Sequence, residues 1–294
     1  MLMWRTLRCR AACLLAGLGF CVLAHADASL HTLWELHGKR NTVYLLGSIH
    51  VLRPSDYPLA DTVLAAYAKS SALVMEVDLA ELADPHMLAT LAGLRLPEGV
   101  TLPTVLGAER YARADALARE AGVPLSSFDR FPPWLAAEGI SQLQLNQLGF
   151  KPESGVEMYF FERAHHDGKA VSGLETVRDQ ISLFDAMSAD TQSQYLLASL
   201  QEAHDLPAQL ESMVTAWKQG DTRWLDGELK SEFGQDPRLY QAFLVARNRK
   251  WVPKIEALLN EDRNYLVIVG AFHLVGRDSV VEMLKKDGIG VSQR

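Results

Sequence analysis

The sequence predicts an α/β fold, with α+β as the alternative. The sheet is mixed and mainly parallel, built from both ends of the chain, with a helical insertion or cap between them. Three observations predict it. First, strand-favouring apolar runs stand near both ends, at 42–46 and 265–269. Each is followed at once by a Gly-x-x-His motif, Gly47-Ser48-Ile49-His50 or Gly270-Ala271-Phe272-His273. Second, residues 42–77 read strand, helix, strand, a βαβ unit that implies parallel pairing. Third, the middle of the chain carries mostly helical spacing.

Taken in order, 33–36 and 42–46 flank the turn-like His37-Gly38-Lys39-Arg40-Asn41 and read as a hairpin. Residues 59–69 read as a helix with Leu59, Val63, Leu64 and Tyr67 on one face. Residues 72–77 are a buried strand. Helical spacing then covers 109–121, 134–148, 155–166, 189–204 and 208–219, with one strand near 169–175. Residues 237–259 read as one or two helices, with a break expected near Pro253. The end returns to strand 265–269, helix 277–286 and a short strand 289–291. The expected organisation is a single domain over 27–294, with 80–260 as its mostly helical cap. Nothing beyond the two histidine motifs repeats, so this is not a repeat array.

The start of the chain reads differently. Arg5, Arg8 and Arg10 precede an apolar stretch at 11–24, and Ala24-His25-Ala26 offers small residues for a cut. That pattern is a secretory signal over 1–26, with cleavage after Ala26 and a periplasmic or secreted destination. The apolar stretch is shorter than the ~20 residues a membrane span needs, and no later segment reaches that length. All three cysteines, Cys9, Cys13 and Cys21, lie inside the signal. The processed chain therefore has no disulfide and no thiol nucleophile, and a metal site must use histidine, carboxylate, amide or water. Removing the three signal arginines moves the net charge from −7 to −10. An acidic chain without a basic run is not built for nucleic acid.

Four candidates share one kind of position. His50, Glu76, Glu175 and His273 each fall at or just after the carboxyl end of an expected strand, the edge where open α/β sheets bind ligands. The glycine before each histidine motif is read as letting the backbone turn sharply. Two imidazoles and one or two carboxylates suit Mn²⁺, Fe²⁺, Co²⁺ or Zn²⁺. Such an ion activates water and polarises a carbonyl, the chemistry of hydrolysis, and an unligated carboxylate would serve as general base. The plainer readings have Glu76 and Glu175 merely capping turns. Arg247-Asn248 lies on an amphipathic helix, either as an exposed polar face or with the arginine holding a carboxylate or oxyanion. Glu157, three residues after Ser154, fits a capping box and is read as structural. Trp134, Trp217, Trp224 and Trp251 are read as packing residues. The serine-hydrolase elbow, the His-Glu-x-x-His helix, the Walker loop and the dinucleotide fingerprint are all absent.

Several segments resemble the TraB/PrgY/GumN family, which includes the animal Tiki metalloproteases. They are Tyr44-Leu45-Leu46-Gly47-Ser48-Ile49-His50, Val74-Met75-Glu76-Val77-Asp78, Gly155-Val156-Glu157, Gly173-Leu174-Glu175-Thr176, Arg247-Asn248 with Trp251, and Val269 to Gly276. They occur in the family's order, and the bacterial, signal-bearing GumN-like branch is the most similar. The resemblance implies an active centre of both histidine motifs and a strand-end glutamate, here His50, His273 and Glu76. Ser48 stands where the family usually has threonine, which keeps the hydroxyl. In the Tiki branch the implied activity is Mn²⁺- or Co²⁺-dependent peptide hydrolysis. The expectation is therefore an exported metallohydrolase of peptidase type acting on a peptide or protein. His50, His273 and Glu76 would bind the metal, and Glu76, Glu175 and Arg247 would take catalytic roles. The rival is a non-catalytic protein that binds a peptide or exopolysaccharide on the same fold.

Overall fold

Six strands form one sheet in the computed structural model, which describes residues 30–294 except His204 and Gln235. The expected signal and all three cysteines lie outside the described residues. The strands are β1 (Leu33–His37), β2 (Thr42–Ser48), β3 (Ala72–Met75), β4 (Ala170–Gly173), β5 (Tyr265–Gly270) and β6 (Val291–Gln293). Their spatial order is β4-β3-β5-β2-β1-β6. The pairs β2–β5, β3–β5 and β3–β4 are parallel, and β1 pairs antiparallel with β2 and β6. The sheet is thus mixed and mainly parallel, and both ends of the chain build it. The expected hairpin is present as β1–β2.

The βαβ unit exists with one difference. Helix Asp61–Lys69 does connect β2 to β3 in a parallel sense, but β5 fills the place between those strands. The composition of β5, Tyr-Leu-Val-Ile-Val-Gly, explains this, since every residue of it is buried. A strand covered on both faces and paired on both edges belongs at the centre of a sheet.

Helices cover the sheet and extend from it. A second cluster of buried side chains, including Leu102, Leu125, Ile140 and Leu200, joins helices Ala108–Glu120, Pro133–Gln147 and Ala189–Glu202. Helices Pro85–Ala92, Leu102–Leu106, Val177–Asp185 and Thr222–Phe233 were not expected from spacing. The first of them buries no residue, so it has no apolar period to read; Asp84 caps it and Pro85 opens it. The irregularity expected near Pro253 lies elsewhere. Helix Ala246–Leu258 carries Pro253 without a break, and a π-helical turn precedes it at Gln241–Val245. Pro253 is exposed, so water can satisfy the carbonyl its ring leaves unpaired.

The motif glycines act through space rather than through a turn. Gly270 has φ −49 and ψ 137, which any residue adopts. A Cβ on Gly47 would come within 3.1 Å of the Ala271 Cα, so this glycine lets the two histidine loops touch. The Gly47 carbonyl also accepts a 2.6 Å hydrogen bond from Trp217 Nε1, which ties the first motif to helix Leu206–Lys218. Gly155 is a similar case, because a Cβ there would collide with the His50 carbonyl oxygen. Its absence lets helix Val156–His166 start directly beneath His50.

Candidate functional site

Parallel pairing of β2, β5 and β3 brings their carboxyl ends to one rim. His50 follows β2, Glu76 follows β3, and His273 sits in the 3-10 turn Ala271–Leu274 after β5. Gly270 lies at their meeting point. A Cβ built there would have Glu76 Oε1 at 3.3 Å, His50 Nε2 at 3.5 Å and His273 Cδ2 at 3.7 Å. Three side chains more than two hundred residues apart at the extremes thus face one spot, which only a glycine leaves open.

Glu175 and Arg247 complete the rim from behind. Glu175 follows β4, and helix Ala246–Leu258 lays Arg247 across the carboxyl edge. The guanidinium is buried and holds two carboxylates. Nη2 donates to Glu76 Oε2 at 2.5 Å and to Glu175 Oε1 at 2.6 Å, and Nε donates to Glu175 Oε1 at 2.9 Å. Gln180 Nε2 bridges the same two oxygens at 3.1 and 3.0 Å. Glu76 Oε1 accepts from the Gly270 amide at 2.7 Å. Burial acts against the ionised Glu76, but His273, Arg247, His50 and that amide outweigh it and lower its pKa to about 2. The plainer readings of both glutamates are therefore displaced. Asp78 caps the turn after Glu76, and Thr176 caps the helix after Glu175.

The two imidazoles are held in complementary ways. Asn248 Nδ2 donates to the Asp278 carbonyl at 2.8 Å, which turns its Oδ1 toward His273 Nδ1 at 2.6 Å. On the other side Arg247 Nη1 approaches His273 Nε2 at 3.0 Å. A guanidinium only donates, so Nε2 is the unprotonated nitrogen and Nδ1 carries the proton. Burial keeps this ring neutral, lowering its pKa to about 3. It packs on Trp251, with ring centroids 4.5 Å apart, and Trp251 Nε1 reaches Glu175 Oε2 at 3.3 Å. Trp251 is a packing residue, as expected, and it also supports the site.

His50 stands open to solvent, with Nδ1 2.7 Å from Glu157 Oε1. Ser48 Oγ donates to the same oxygen. Glu157 is thus a site residue, contrary to its capping-box reading. The residue that caps its helix is Gly155, and no Ser154 cap bond forms. Glu157 raises the His50 pKa to about 9. This ion pair therefore contributes stability below pH 6.5 that is lost as pH rises through about 9. In metal-free Glu157→Gln, the His50 imidazole is expected to titrate well below the wild-type midpoint, as followed by NMR. An unchanged midpoint would exclude Glu157 as the cause.

The donor set suits a divalent transition metal. Both Nδ1 atoms are held by oxygen acceptors, so both Nε2 atoms face inward, as metal-ligating histidines are commonly fixed. Two imidazoles and Glu76 Oε1 match Mn²⁺, Co²⁺, Zn²⁺ or Fe²⁺ chemistry. As placed, no three His, Cys, Asp or Glu side chains among the described residues are close enough to share one ion. Arg247 Nη1 occupies the His273 Nε2 lone pair, so metal binding requires that contact to open.

Fold and rim together define an α/β protein with a His–Glu–Arg centre at the carboxyl edge of its sheet. The profile of the TraB/PrgY/gumN family matches residues 32–293. The chain belongs to that family. It is 27% identical over 250 residues to the uncharacterized protein YbaP of Escherichia coli, covering 85% of this chain and 90% of that one. It is 22% identical over 269 residues to an uncharacterized Treponema pallidum protein, covering 86% and 80%. A metalloprotease TIKI homolog of Amphimedon queenslandica is 26% identical over 326 residues, covering 89% of this chain and 61% of that protein. No solved structure matches significantly.

Proposed function

We propose that this chain is an exported metal-dependent hydrolase of peptidase type, acting on peptides or proteins. The observation that carries this reading is the convergence of His50 Nε2, Glu76 Oε1 and the His273 ring on the open space above Gly270. Membership of a family that has a metalloprotease-named relative supports it. His50, His273 and Glu76 would hold the ion, Mn²⁺ or Co²⁺ by preference, with Zn²⁺ or Fe²⁺ as substitutes. When bound, such an ion activates a water and polarises the scissile carbonyl.

The protein's own groups have separate tasks. Arg247 keeps Glu76 ionised at neutral pH, and Glu175 with Gln180 keeps Arg247 in place. Glu175 therefore acts as a positioning residue rather than touching substrate. Asn248 and Glu157 orient the two imidazoles. A second reading is favoured by one observation. Arg247 already satisfies His273 Nε2 and Glu76 Oε2, so the rim is stable without an ion. That suits a protein that sequesters a peptide or exopolysaccharide without turnover.

Elemental analysis of metal-reconstituted protein, paired with turnover of a peptide library, separates the two. Stoichiometric metal with turnover supports the hydrolase. Tight peptide binding without metal or turnover supports the second reading. Export has its own test. N-terminal sequencing of protein from the periplasmic fraction should begin at Asp27, and an intact Met1 on soluble exported protein would refute the signal.

A further inference from the structure

A cavity of about 800 Å³ opens among the helices beside the rim. Two aromatic residues connect it to the centre. Phe184 lines the cavity and shares helix Val177–Asp185 with Gln180, which bonds both Glu76 and Glu175. Phe243 also lines it, and its backbone carbonyl accepts from Arg247 Nη1 at 3.0 Å. The two rings meet edge to face at 4.9 Å, on the π-helical turn that precedes Arg247. A chain seated in this cavity would lie against the wall that carries the centre.

The polar part of the wall has a definite character. Glu202 and Glu232 line it and are accessible within it. Neither forms an ion pair with a described residue, nor do the nearby Glu138 and Glu228. Of the two arginines on the wall, Arg238 is bonded to Asp236. Burial, together with Glu202, Glu228 and Glu138, pushes the Glu232 pKa up to about 7. Like-charged carboxylates collected in one place call for a cation. Among the described residues no three of them come close enough to share a metal ion, so a larger organic cation fits better.

Gln144 supplies an independent observation. It lines the same cavity and is only 7% exposed, yet its side-chain amide has no hydrogen-bond partner among the described residues. A buried amide is normally paired. This one presents a donor and an acceptor to the cavity, the complement of a peptide backbone unit.

We propose that the cavity is a binding site for a lysine or arginine residue of a peptide, with Glu202 and Glu232 receiving the cation and Gln144 the adjoining backbone. The apolar wall, including Leu197, Phe184 and Phe243, would cover the aliphatic stem of that side chain. Describing that peptide as a substrate rests on the peptidase reading; the binding does not.

Calorimetric titration of the full processed chain with capped Ala-Ala-Lys-Ala-Ala, and with norleucine or glutamate replacing the lysine, tests this. The lysine peptide is expected to bind about tenfold more tightly than the norleucine peptide, the effect of one charge-assisted contact. The Glu202→Gln/Glu232→Gln variant should lose that preference while still binding norleucine. Removing two mutually repelling charges should not unfold the protein, and a thermal melt checks this. Should the double variant fail to fold, Glu232→Gln alone gives the same comparison. Equal binding of all three peptides, or a lysine preference that survives the substitutions, overturns the proposal. Hydrolysis without lysine-selective binding removes this inference alone. Lysine-selective binding without hydrolysis under any metal removes the peptidase reading alone.

Discussion

Alanine at His50 or His273 is expected to abolish metal uptake and peptide hydrolysis together. Each ring has one nitrogen committed outward, to Glu157 or to Asn248, so each can offer only Nε2 to an ion. Losing either leaves one imidazole and one carboxylate, short of the three protein ligands that catalytic sites of this kind use. The loss should exceed the ~100-fold that removing an outer partner costs. The double variant should be little worse than either single one, because groups acting as one unit are strongly non-additive. Stability should separate the two positions. His50 is exposed, so His50→Ala should melt near wild type. His273 is buried between Arg247 and Asn248, and its removal leaves both unpaired. Glu76→Gln resolves the remaining role: a ligand loses metal and activity, whereas a general base loses activity alone. Full metal content and full hydrolysis in all these variants would make the binding-protein reading the better one.

Arg247→Met should produce the largest loss of stability. The guanidinium is the cation between Glu76 and Glu175, and all three side chains are about nine-tenths buried. Removing one partner of such a group costs about 3–5 kcal/mol, because buried carboxylates are left uncompensated. That corresponds to a fall in Tm on the order of 10 °C. The pH dependence gives a second check. Glu76 has its pKa lowered from 4.5 to about 2, so its contribution is present above pH 4.5 and is lost as pH falls toward 2. The gap between wild type and Arg247→Met should therefore narrow in acid, as urea titrations across that range would record. The triple variant Glu76→Gln/Glu175→Gln/Arg247→Met should regain part of the loss. An Arg247→Met protein as stable as wild type at neutral pH would show that the triad is not buried in solution.

His50, Glu76, Glu175 and His273 were legible in the sequence because strand ends are legible. An apolar run stopped by a glycine marks the rim, and whatever follows it must face the rim. Arg247 was legible only as two alternatives, since helical spacing cannot tell an exposed polar face from one laid over two acids. Glu157 was misread because Ser154 and Glu157 carry a local pattern sufficient for a cap, while its true partners Ser48 and His50 are about a hundred residues away. Gln180 was missed with its helix, where only Val177 is fully buried. The reason for Gly270 could not be read at all, because space is a property of the assembled rim rather than of one motif.

The place of β5 gives the centre a time of birth. A growing chain emits β1, β2 and β3 early, but their sheet lacks its middle strand until residues 265–270 arrive. Contacts of such separation form late, since the intervening loop must close first. Every fragment that stops short of Tyr265 therefore holds His50 and Glu76 on strands with nothing between them. The chain is inert through most of its synthesis and becomes competent only as the last tenth of it is threaded into place.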